Sequence, residues 1–286
     1  MKKKFIAFML FSVVMLCLLN TTVSADTGPK PSVKITLEDI GDTKAYVTLL
    51  SKYESTGPWC TYERSPEGNN YRCFPEDIFM KFVNYEDTDG FHFLQYGKEY
   101  DGEEFAWTYY PPSTFKLLVY FPETDTFSAS DIHERYAFDS YFTAKARDDG
   151  TLKLSKNYKY PIELGSLIAR IALTLVSELL LAYLAFGYRG GRLYLMLAIV
   201  NLITQIALNL TVNIQKFYNG QYAYTSYYVL VEALIFITEA AVYYFAIPRL
   251  SKKTASKWVA AAYAICANSV SLILGLYFSE VVPQIF

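Results

Sequence analysis

Residues 161–187 read PIELGSLIARIALTLVSELLLAYLAFG. A helix of this length crosses a hydrocarbon core of about 30 Å. Three further apolar segments follow, at about 193–213, 227–247 and 258–279. The alternative is a soluble four-helix bundle, but its helices would have polar faces that these segments lack. The sequence therefore predicts an α-helical, four-span transmembrane domain over residues 156–286.

The charges are divided unevenly between this apolar region and the residues before it. Residues 26–160 contain 23 acidic and 15 basic residues, whereas residues 161–286 contain 5 acidic and 8 basic residues. Only 19% of the whole chain is charged, below the quarter or so that is typical of soluble proteins. Because the net charge is −2 and no basic face is evident, a nucleic-acid partner is not expected. The composition indicates an acidic soluble half joined to a membrane half in contact with the lipid bilayer.

The first 25 residues have the pattern of a signal peptide. Lysines at 2–4 precede an apolar stretch at 5–19, and residues 23–25 (VSA) supply the small residues of a cleavage site. An uncleaved anchor is the alternative, although the stretch is short for a membrane span. Cleavage would leave Asp26 and the domain that follows it outside the plasma membrane.

Residues 26–155 are predicted to form an extracytoplasmic, all-β, sandwich-like domain. Short runs of β-branched and aromatic residues alternate with turn signals, at a strand spacing of about 8–12 residues. The predicted strands are 32–37, 45–51, 59–63, 71–74, 79–85, 91–96, 105–109, 114–121 and 136–144. No helix is expected in this domain.

Cys60 and Cys73 flank a turn-rich segment of the exported domain. In an oxidising compartment this spacing predicts a disulfide bond. A zinc site would need further ligands, and His92 and His133 are distant in the sequence.

Two acidic turns, at 86–89 and 101–104, carry the oxygen ligands that Ca²⁺ prefers. Neither has the spacing of an EF-hand, so solvated loops are expected instead. Catalytic motifs are missing from this half of the sequence, whereas its tyrosines would provide contact area for a ligand at low entropic cost. Binding is therefore favoured over catalysis.

Basic residues in the loops orient the four spans. The loops at 188–192 and 248–257 contain two and four basic residues, whereas the loop at 214–226 contains one. By the positive-inside rule, the two basic loops are cytoplasmic, and the N-terminal domain and the C-terminus are extracytoplasmic. Three lysines between 153 and 159 oppose this orientation, but the signal peptide and the exported domain are expected to override them.

Polar residues within the spans form two layers when depth is estimated at about 1.5 Å per residue. The inner layer, near the bilayer midplane, contains Glu178, Asn201, Glu239 and Asn268. The outer layer, about one helical turn away, contains Arg170, Gln205, Asn209 and Glu232. We expect an ion pair between Arg170 and Glu232 in the outer layer.

The inner layer leaves three roles open. Two neighbouring carboxylates in a low dielectric cannot both stay charged, so a proton or another cation would bind there. The polar residues could instead hold the helices together, at about 0.6 kcal/mol for each interaction. Intramembrane catalysis is the third role, although two glutamates without histidine are a poor ligand set for zinc. No resident cofactor is predicted, and the identity of any metal stays open.

Several segments resemble an uncharacterised family of bacterial four-helix membrane proteins that carry a signal peptide and an exported domain. In the spans these segments are 201–205 (NLITQ), 231–244 (VEALIFITEAAVYY) and 267–271 (ANSVS) with Gly275. Residues 29–41, 45–58 and 109–127 are similar to the exported domain of its Gram-positive-type members. The resemblance implies the same domain layout and an important polar cluster, but no activity.

The sequence thus predicts a multi-pass plasma-membrane protein with an exported domain that binds an extracellular ligand or a membrane-protein partner. It would be a sensor or an accessory subunit of a membrane complex, and it would also be able to form oligomers. A small proton- or cation-coupled carrier is the alternative, and an intramembrane enzyme ranks third. Enzymatic activity is not favoured.

Overall fold

The computed structural model describes residues 30–38, 44–66, 73–252 and 255–281. The chain divides into a β-rich unit, Pro29–Lys159 with Phe217–Gly220, and a helical unit that contains Tyr160–Lys216 and Gln221–Phe286. The predicted fold class, a β domain followed by four long apolar helices, is confirmed. The predicted signal peptide at 1–25 lies outside the described residues.

The β domain is built from two main sheets and a small hairpin. Its strands are β1 Ser32–Glu38, β2 Ala45–Ser51, β3 Ser55–Thr56, β4 Trp59–Cys60, β5 His92–Phe93, β6 Lys98–Tyr100, β7 Glu104–Trp107, β8 Thr114–Phe121, β9 Thr126–Ala129, β10 His133–Glu134, β11 Asp139–Ala146 and β12 Leu152–Lys156. The first sheet has the order β12-β11-β1-β7, with β1 parallel to β11 and antiparallel to β7. In the second sheet β2 pairs with β8, β5 and β6 also pair with β2, and β9 and β10 pair with β8. Strands β3 and β4 form the hairpin.

An apolar core joins the two sheets. Val33 and Ile35 of β1 and Trp107 of β7 contribute to it from the first sheet, and Val47 and Leu117 contribute from the second. Core residues within one strand, such as Val33 and Ile35, are two positions apart, because alternate side chains of a strand lie on the same face of the sheet. This core makes the domain a two-layer β structure.

The second sheet is also covered on its other face, by helix α1, Glu76–Val83. Ile78 and Phe82 of α1 pack against Leu50 of β2 and Tyr120 of β8. Strands β2 and β8 are therefore buried on both faces along most of their length. A helix in this position was not expected, and the predicted strand at 79–85 is wrong.

The prediction also lacked five strands, β3, β6, β9, β10 and β12. Of these, β9 and β12 each lie at the edge of a main sheet. Strands β2 and β8 have the predicted bounds. The predicted strand at 71–74 is only partly described, and neither Cys73 nor Phe74 is in a strand.

The predicted disulfide between Cys60 and Cys73 is not formed, and both cysteines are free thiols. Gln95 contacts the two segments that carry them. Its backbone carbonyl accepts a hydrogen bond from Cys73 Sγ at 3.7 Å, and its side-chain Nε2 donates to the Cys60 carbonyl at 3.0 Å. The same Nε2 donates to the carbonyls of Thr61 and Ser65, each at 3.0 Å. The two segments that carry the cysteines are thus linked by Gln95 rather than by a covalent bridge.

The acidic turn at 86–89 is neutralised by a lysine. Lys116 Nζ lies 2.6 Å from Asp87 Oδ1 and 2.8 Å from Asp89 Oδ2, and the Asp87 side chain is only 1% exposed. Burial opposes the charge of Lys116, but its hydrogen bonds to the two aspartates prevail and raise its pKa above 10.5. Since an ammonium group already compensates these carboxylates, the turn offers Ca²⁺ no free pair of acids. The second acidic turn, at 101–104, is largely exposed, as expected of a solvated loop.

The helical unit contains four helices long and apolar enough to cross a membrane. They are α2 Tyr160–Leu184, α3 Gly191–Gly220, α4 Ser226–Leu250 and α5 Lys257–Val281. Gly220, with φ of 81° and ψ of −176°, departs from helical geometry and separates α3 from α4. Positive φ is readily accessible to glycine, which has no Cβ.

Large apolar side chains are exposed along these helices, as expected of surfaces that face lipid. They include Leu164, Ile168, Ile203, Leu210, Leu230 and Ile237. The four helices therefore define a multi-pass membrane protein by their length and composition.

Candidate functional site

Short aliphatic and aromatic side chains pack the bundle near the loops at 185–190 and 251–256. Ala182 of α2, Leu197 of α3, Ile247 of α4 and Ala264 of α5 are all fully buried in one apolar cluster. Small residues let helix backbones approach closely, which is how helices associate in lipid. Every helix of the bundle thus contributes to the surroundings of the polar residues.

The two loops are joined by their backbones. The Lys252 amide donates to the Arg189 carbonyl at 3.0 Å. Beside this bond Gly190 has φ of 136°, and a Cβ on it would lie 3.3 Å from the Leu250 carbonyl oxygen. The α2–α3 connection and the α4–α5 connection are therefore in direct contact.

All four inner-layer residues lie in the interior of the bundle. Glu178, Asn201 and Glu239 are each 1% exposed, and Asn268 is 2% exposed. One of these residues comes from each of the helices α2, α3, α4 and α5. The structure thus brings together the four residues that were assigned to the inner layer from their depth along the spans.

Glu239 is hydrogen-bonded through both carboxylate oxygens. Thr204 Oγ1 donates to its Oε1 at 2.6 Å, and Asn268 Nδ2 donates to its Oε2 at 2.7 Å. Asn268 Nδ2 also donates to the Ala264 carbonyl at 3.0 Å, which fixes the orientation of the amide. Glu239 is therefore an acceptor at both ends.

Glu178 is bonded at one oxygen. Asn201 Nδ2 donates to its Oε2. Among the described residues, Glu178 Oε1 and Asn201 Oδ1 have no hydrogen-bond partner, although both atoms are buried. Glu178 and Glu239 are close enough to interact electrostatically. The two acids therefore share one site but have different hydrogen bonds.

Three tyrosines surround the inner layer on its side nearer the two loops. Tyr188, Tyr243 and Tyr263 are buried and pack against one another, with ring centroids 5.5 Å apart for Tyr188 and Tyr263 and 5.6 Å apart for Tyr243 and Tyr263. The Tyr263 hydroxyl donates to the backbone carbonyl of Glu178 at 3.2 Å, which links α5 to α2. The three rings thus line this side of the inner layer, and Tyr263 contacts it through its hydroxyl.

The outer layer does not form the ion pair expected between Arg170 and Glu232. Among the described side chains, Glu232 instead interacts with Tyr228, one turn earlier on α4, and with Glu239. Arg170 also has an interaction of its own. Gln205 and Asn209 are buried, and Asn209 Nδ2 donates to the Gln205 carbonyl at 2.8 Å, within α3. The structure places these four residues in the spans but does not join them into one cluster.

Thr204 and the tyrosines were not assigned to the inner layer from the sequence. Thr204 lies three residues after Asn201, a spacing that places both on one helix face. That spacing was the available signal for Thr204. Aromatic residues near a span end are usual at membrane interfaces, so the sequence offered no comparable signal for the role of Tyr263.

The β domain exposes a second candidate site, the tyrosine loop at residues 109–112. Tyr109 and Tyr110 are 44% and 39% exposed, and their rings meet edge to face at 4.8 Å. The indoles of Trp59 and Trp107 donate to the Tyr109 carbonyl at 2.8 and 2.9 Å, and Thr56 Oγ1 donates to the Tyr110 carbonyl at 3.1 Å. The backbone of the loop is thus fixed while the two rings face outward.

Two backbone features show how closely the tyrosine loop is held. Tyr110 has φ of 51°, an uncommon conformation for a bulky residue. Gly57, with φ of 52°, lies under the Tyr110 ring, where a Cβ would be 2.4 Å from Tyr110 Cγ. Strained residues of this kind persist only where the surrounding structure fixes them, and they often lie at functional sites.

No known family model matches the chain, and no curated protein sequence matches it either.

The two sites can do different chemistry. The inner layer offers carboxylates, amides and hydroxyls in a water-poor interior, which suits the binding of a proton or a small cation. The tyrosine loop offers two partly exposed aromatic rings to a ligand.

Proposed function

We propose that this membrane protein binds a ligand or a partner through its β domain, as a sensor or an accessory subunit of a membrane complex. The β domain and the C-terminus lie outside the plasma membrane in this proposal, and the loops at 188–192 and 248–257 lie in the cytoplasm. The six basic residues of those two loops support this orientation.

The tyrosine loop is the observation that carries the proposal. Tyr109 and Tyr110 present large amphipathic rings, while three side-chain donors hold their backbone carbonyls. Rings held in this way lose little conformational entropy on binding, so more of the contact energy becomes affinity. A surface that served only to be soluble would not require a bulky residue in a strained conformation.

The experiment is a pull-down of the full-length protein from native membranes. Tyr109→Ser and Tyr110→Asn remove the two rings but keep the backbone carbonyls, and asparagine tolerates the positive φ at position 110. We expect the double variant to lose a partner that the unmodified protein recovers. Tyr53→Ser is the matched control, since Tyr53 is 65% exposed but lies outside the tyrosine loop. Equal recovery by all variants, or isolation of the protein without any partner, would overturn the proposal.

A second function, a small proton- or cation-coupled carrier, is favoured by the buried acids Glu178 and Glu239. Ionisable residues inside a membrane are costly and usually mark a pathway or a relay. In liposomes that contain the full-length protein, Glu178→Gln and Glu239→Gln should each abolish ion-coupled uptake, whereas Glu163→Gln at the start of α2 should not. Uptake that is unchanged in both inner-layer variants would exclude this function.

A further inference from the structure

Two buried acceptor atoms lie on side chains that are already bonded to each other. Glu178 Oε1 and Asn201 Oδ1 have no hydrogen-bond partner among the described residues. The other ends of the same side chains meet, because Asn201 Nδ2 donates to Glu178 Oε2. Both residues are 1% exposed, so the two atoms are buried in an interior where unpaired polar groups are costly.

A single proton satisfies both atoms. An ionised carboxylate and an amide oxygen are both acceptors, so neither can bond to the other. With a proton on Oε1, the neutral carboxyl group of Glu178 becomes a donor to Asn201 Oδ1. Together with the existing bond from Asn201 Nδ2, this closes a ring of two hydrogen bonds between a carboxylic acid and a primary amide.

Glu239 has no comparable need of a proton. Both of its oxygens already accept hydrogen bonds, from Thr204 and from Asn268, and the Asn268 amide is fixed by its second bond to Ala264. Hydrogen bonds of this kind favour the charged form of a carboxyl group. Since two neighbouring carboxylates in a low dielectric cannot both be charged, the proton belongs on Glu178.

The other carboxyl groups that act on Glu178 also disfavour a negative charge there, and these are Glu239 and Glu232 of α4. The hydroxyls of Tyr243 and Tyr263 also face this part of the bundle, and that of Tyr263 donates to the Glu178 backbone carbonyl. A carboxylate at Glu178 would therefore face further acids.

We infer that Glu178 is the proton-binding group of the bundle, held as a neutral carboxylic acid in a cyclic pair with Asn201, while Glu239 stays ionised. Loss of the proton leaves both acceptor atoms without a donor and removes one of the two hydrogen bonds that join Glu178 of α2 to Asn201 of α3. As a transport site this pair rests on the carrier function proposed above. Its protonation, however, is measured without any transport, so the carrier can fail while the proton site stands.

The test is an infrared titration of the full-length protein in lipid bilayers, from mildly acidic to alkaline buffer. A protonated carboxyl group has a C=O stretch that a carboxylate lacks. We expect this band at neutral pH in the unmodified protein and its loss in alkaline buffer. Glu178→Gln should abolish it, whereas Glu239→Gln and the control Glu163→Gln should keep it. A band that disappears in Glu239→Gln but survives in Glu178→Gln, or that is missing at neutral pH from the unmodified protein, would overturn the inference.

A second variant keeps the test decisive if Glu178→Gln does not fold. Asn201→Leu removes the amide partner, so the C=O band should move to higher frequency as the hydrogen bond is lost. A band whose position is the same with leucine at 201 would show that the proton is not shared with Asn201, and would overturn the inference as well.

Discussion

Glu239→Gln should destabilise the helical bundle, whereas Glu178→Gln should leave it nearly unchanged. A glutamine at 239 has a single accepting oxygen in place of two, so its NH₂ group must face either Thr204 or Asn268. The Thr204 hydroxyl can rotate to accept from that NH₂ group and then donate to the backbone carbonyl of Val200 or Asn201, which lie 3.1 and 3.0 Å away, but its bond to a charged acceptor is lost. The Asn268 amide cannot reverse without losing its bond to the Ala264 carbonyl.

The magnitude follows from the two charge-assisted hydrogen bonds of Glu239, at 2.6 and 2.7 Å. Hydrogen bonds to charged groups contribute about 1.5–3 kcal/mol in proteins, whereas interhelical polar contacts in membranes average about 0.6 and reach about 1.7 kcal/mol. We therefore expect Glu239→Gln to lower the free energy of unfolding by about 1–2 kcal/mol. At 178 a glutamine can both donate to and accept from Asn201, as the neutral acid does, so that change should be nearly neutral.

The assay is reversible unfolding of the full-length protein in mixed micelles with increasing denaturing detergent, followed by circular dichroism. Glu163→Gln, at the first turn of α2, is the control for removal of an acid from a helix end. Equal losses of stability for the two inner-layer variants, or a larger loss for Glu178→Gln, would refute the assignment of different protonation states to the two acids.

Four further predictions concern the β domain. Lys116→Met leaves Asp87 as a buried, unpaired charge, so the free energy of unfolding, measured by thermal denaturation, should fall by about 3–5 kcal/mol. A fall below about 1 kcal/mol, which is typical of exposed ion pairs, would contradict the burial of this ion pair. The pKa of Lys116 is raised above 10.5 in the folded protein. The contribution of the Lys116 ion pair to the free energy of unfolding is therefore complete below pH 10.5 and is lost as the pH rises through the higher folded-state pKa. A loss of stability that begins at neutral pH would contradict this raised pKa. Intact mass after maleimide labelling without reductant should show free thiols at Cys60 and Cys73, with slow labelling of Cys73 in the folded state because burial raises the pKa of its thiol to about 12, whereas an unlabelled pair would indicate a disulfide. Gln95→Ala should lower the thermal stability of the domain and increase amide exchange at 60–65, since it removes the donor to three carbonyls, and unchanged exchange there would argue against this role.

The local pattern of apolar residues was sufficient to predict the strands whose residues are all in a similar environment. Strands β2 and β8 have a nearly continuous apolar character, as expected of strands that are buried on both faces. Helix α1 was misread because its aromatic and branched residues also fit a strand. This segment is a helix because Ile78 and Phe82, four residues apart, both pack against the second sheet. That is a tertiary contact, so it cannot be deduced from the local sequence.

The same division applies to the sites. The inner layer could be predicted because the rise per residue of a helix is fixed, so depth follows from position in the sequence. Whether Arg170 and Glu232 form an ion pair could not be predicted in this way. Two residues at one depth come into contact only if the helix faces that carry them are turned toward each other. The cysteine pair failed for a related reason, because a disulfide depends on the separation and direction of two Cβ atoms.

The contact between the α2–α3 and α4–α5 connections depends on backbone atoms rather than on side chains. The hydrogen bond runs from the backbone amide of Lys252 to the backbone carbonyl of Arg189. Substitution of either side chain would therefore leave this bond in place. Gly190 is the exception, since a side chain there would need a strained backbone close to the Leu250 carbonyl. The α2–α3 and α4–α5 hairpins are thus joined at both ends of the bundle, by this backbone bond at one end and by the chain through Gly220 at the other.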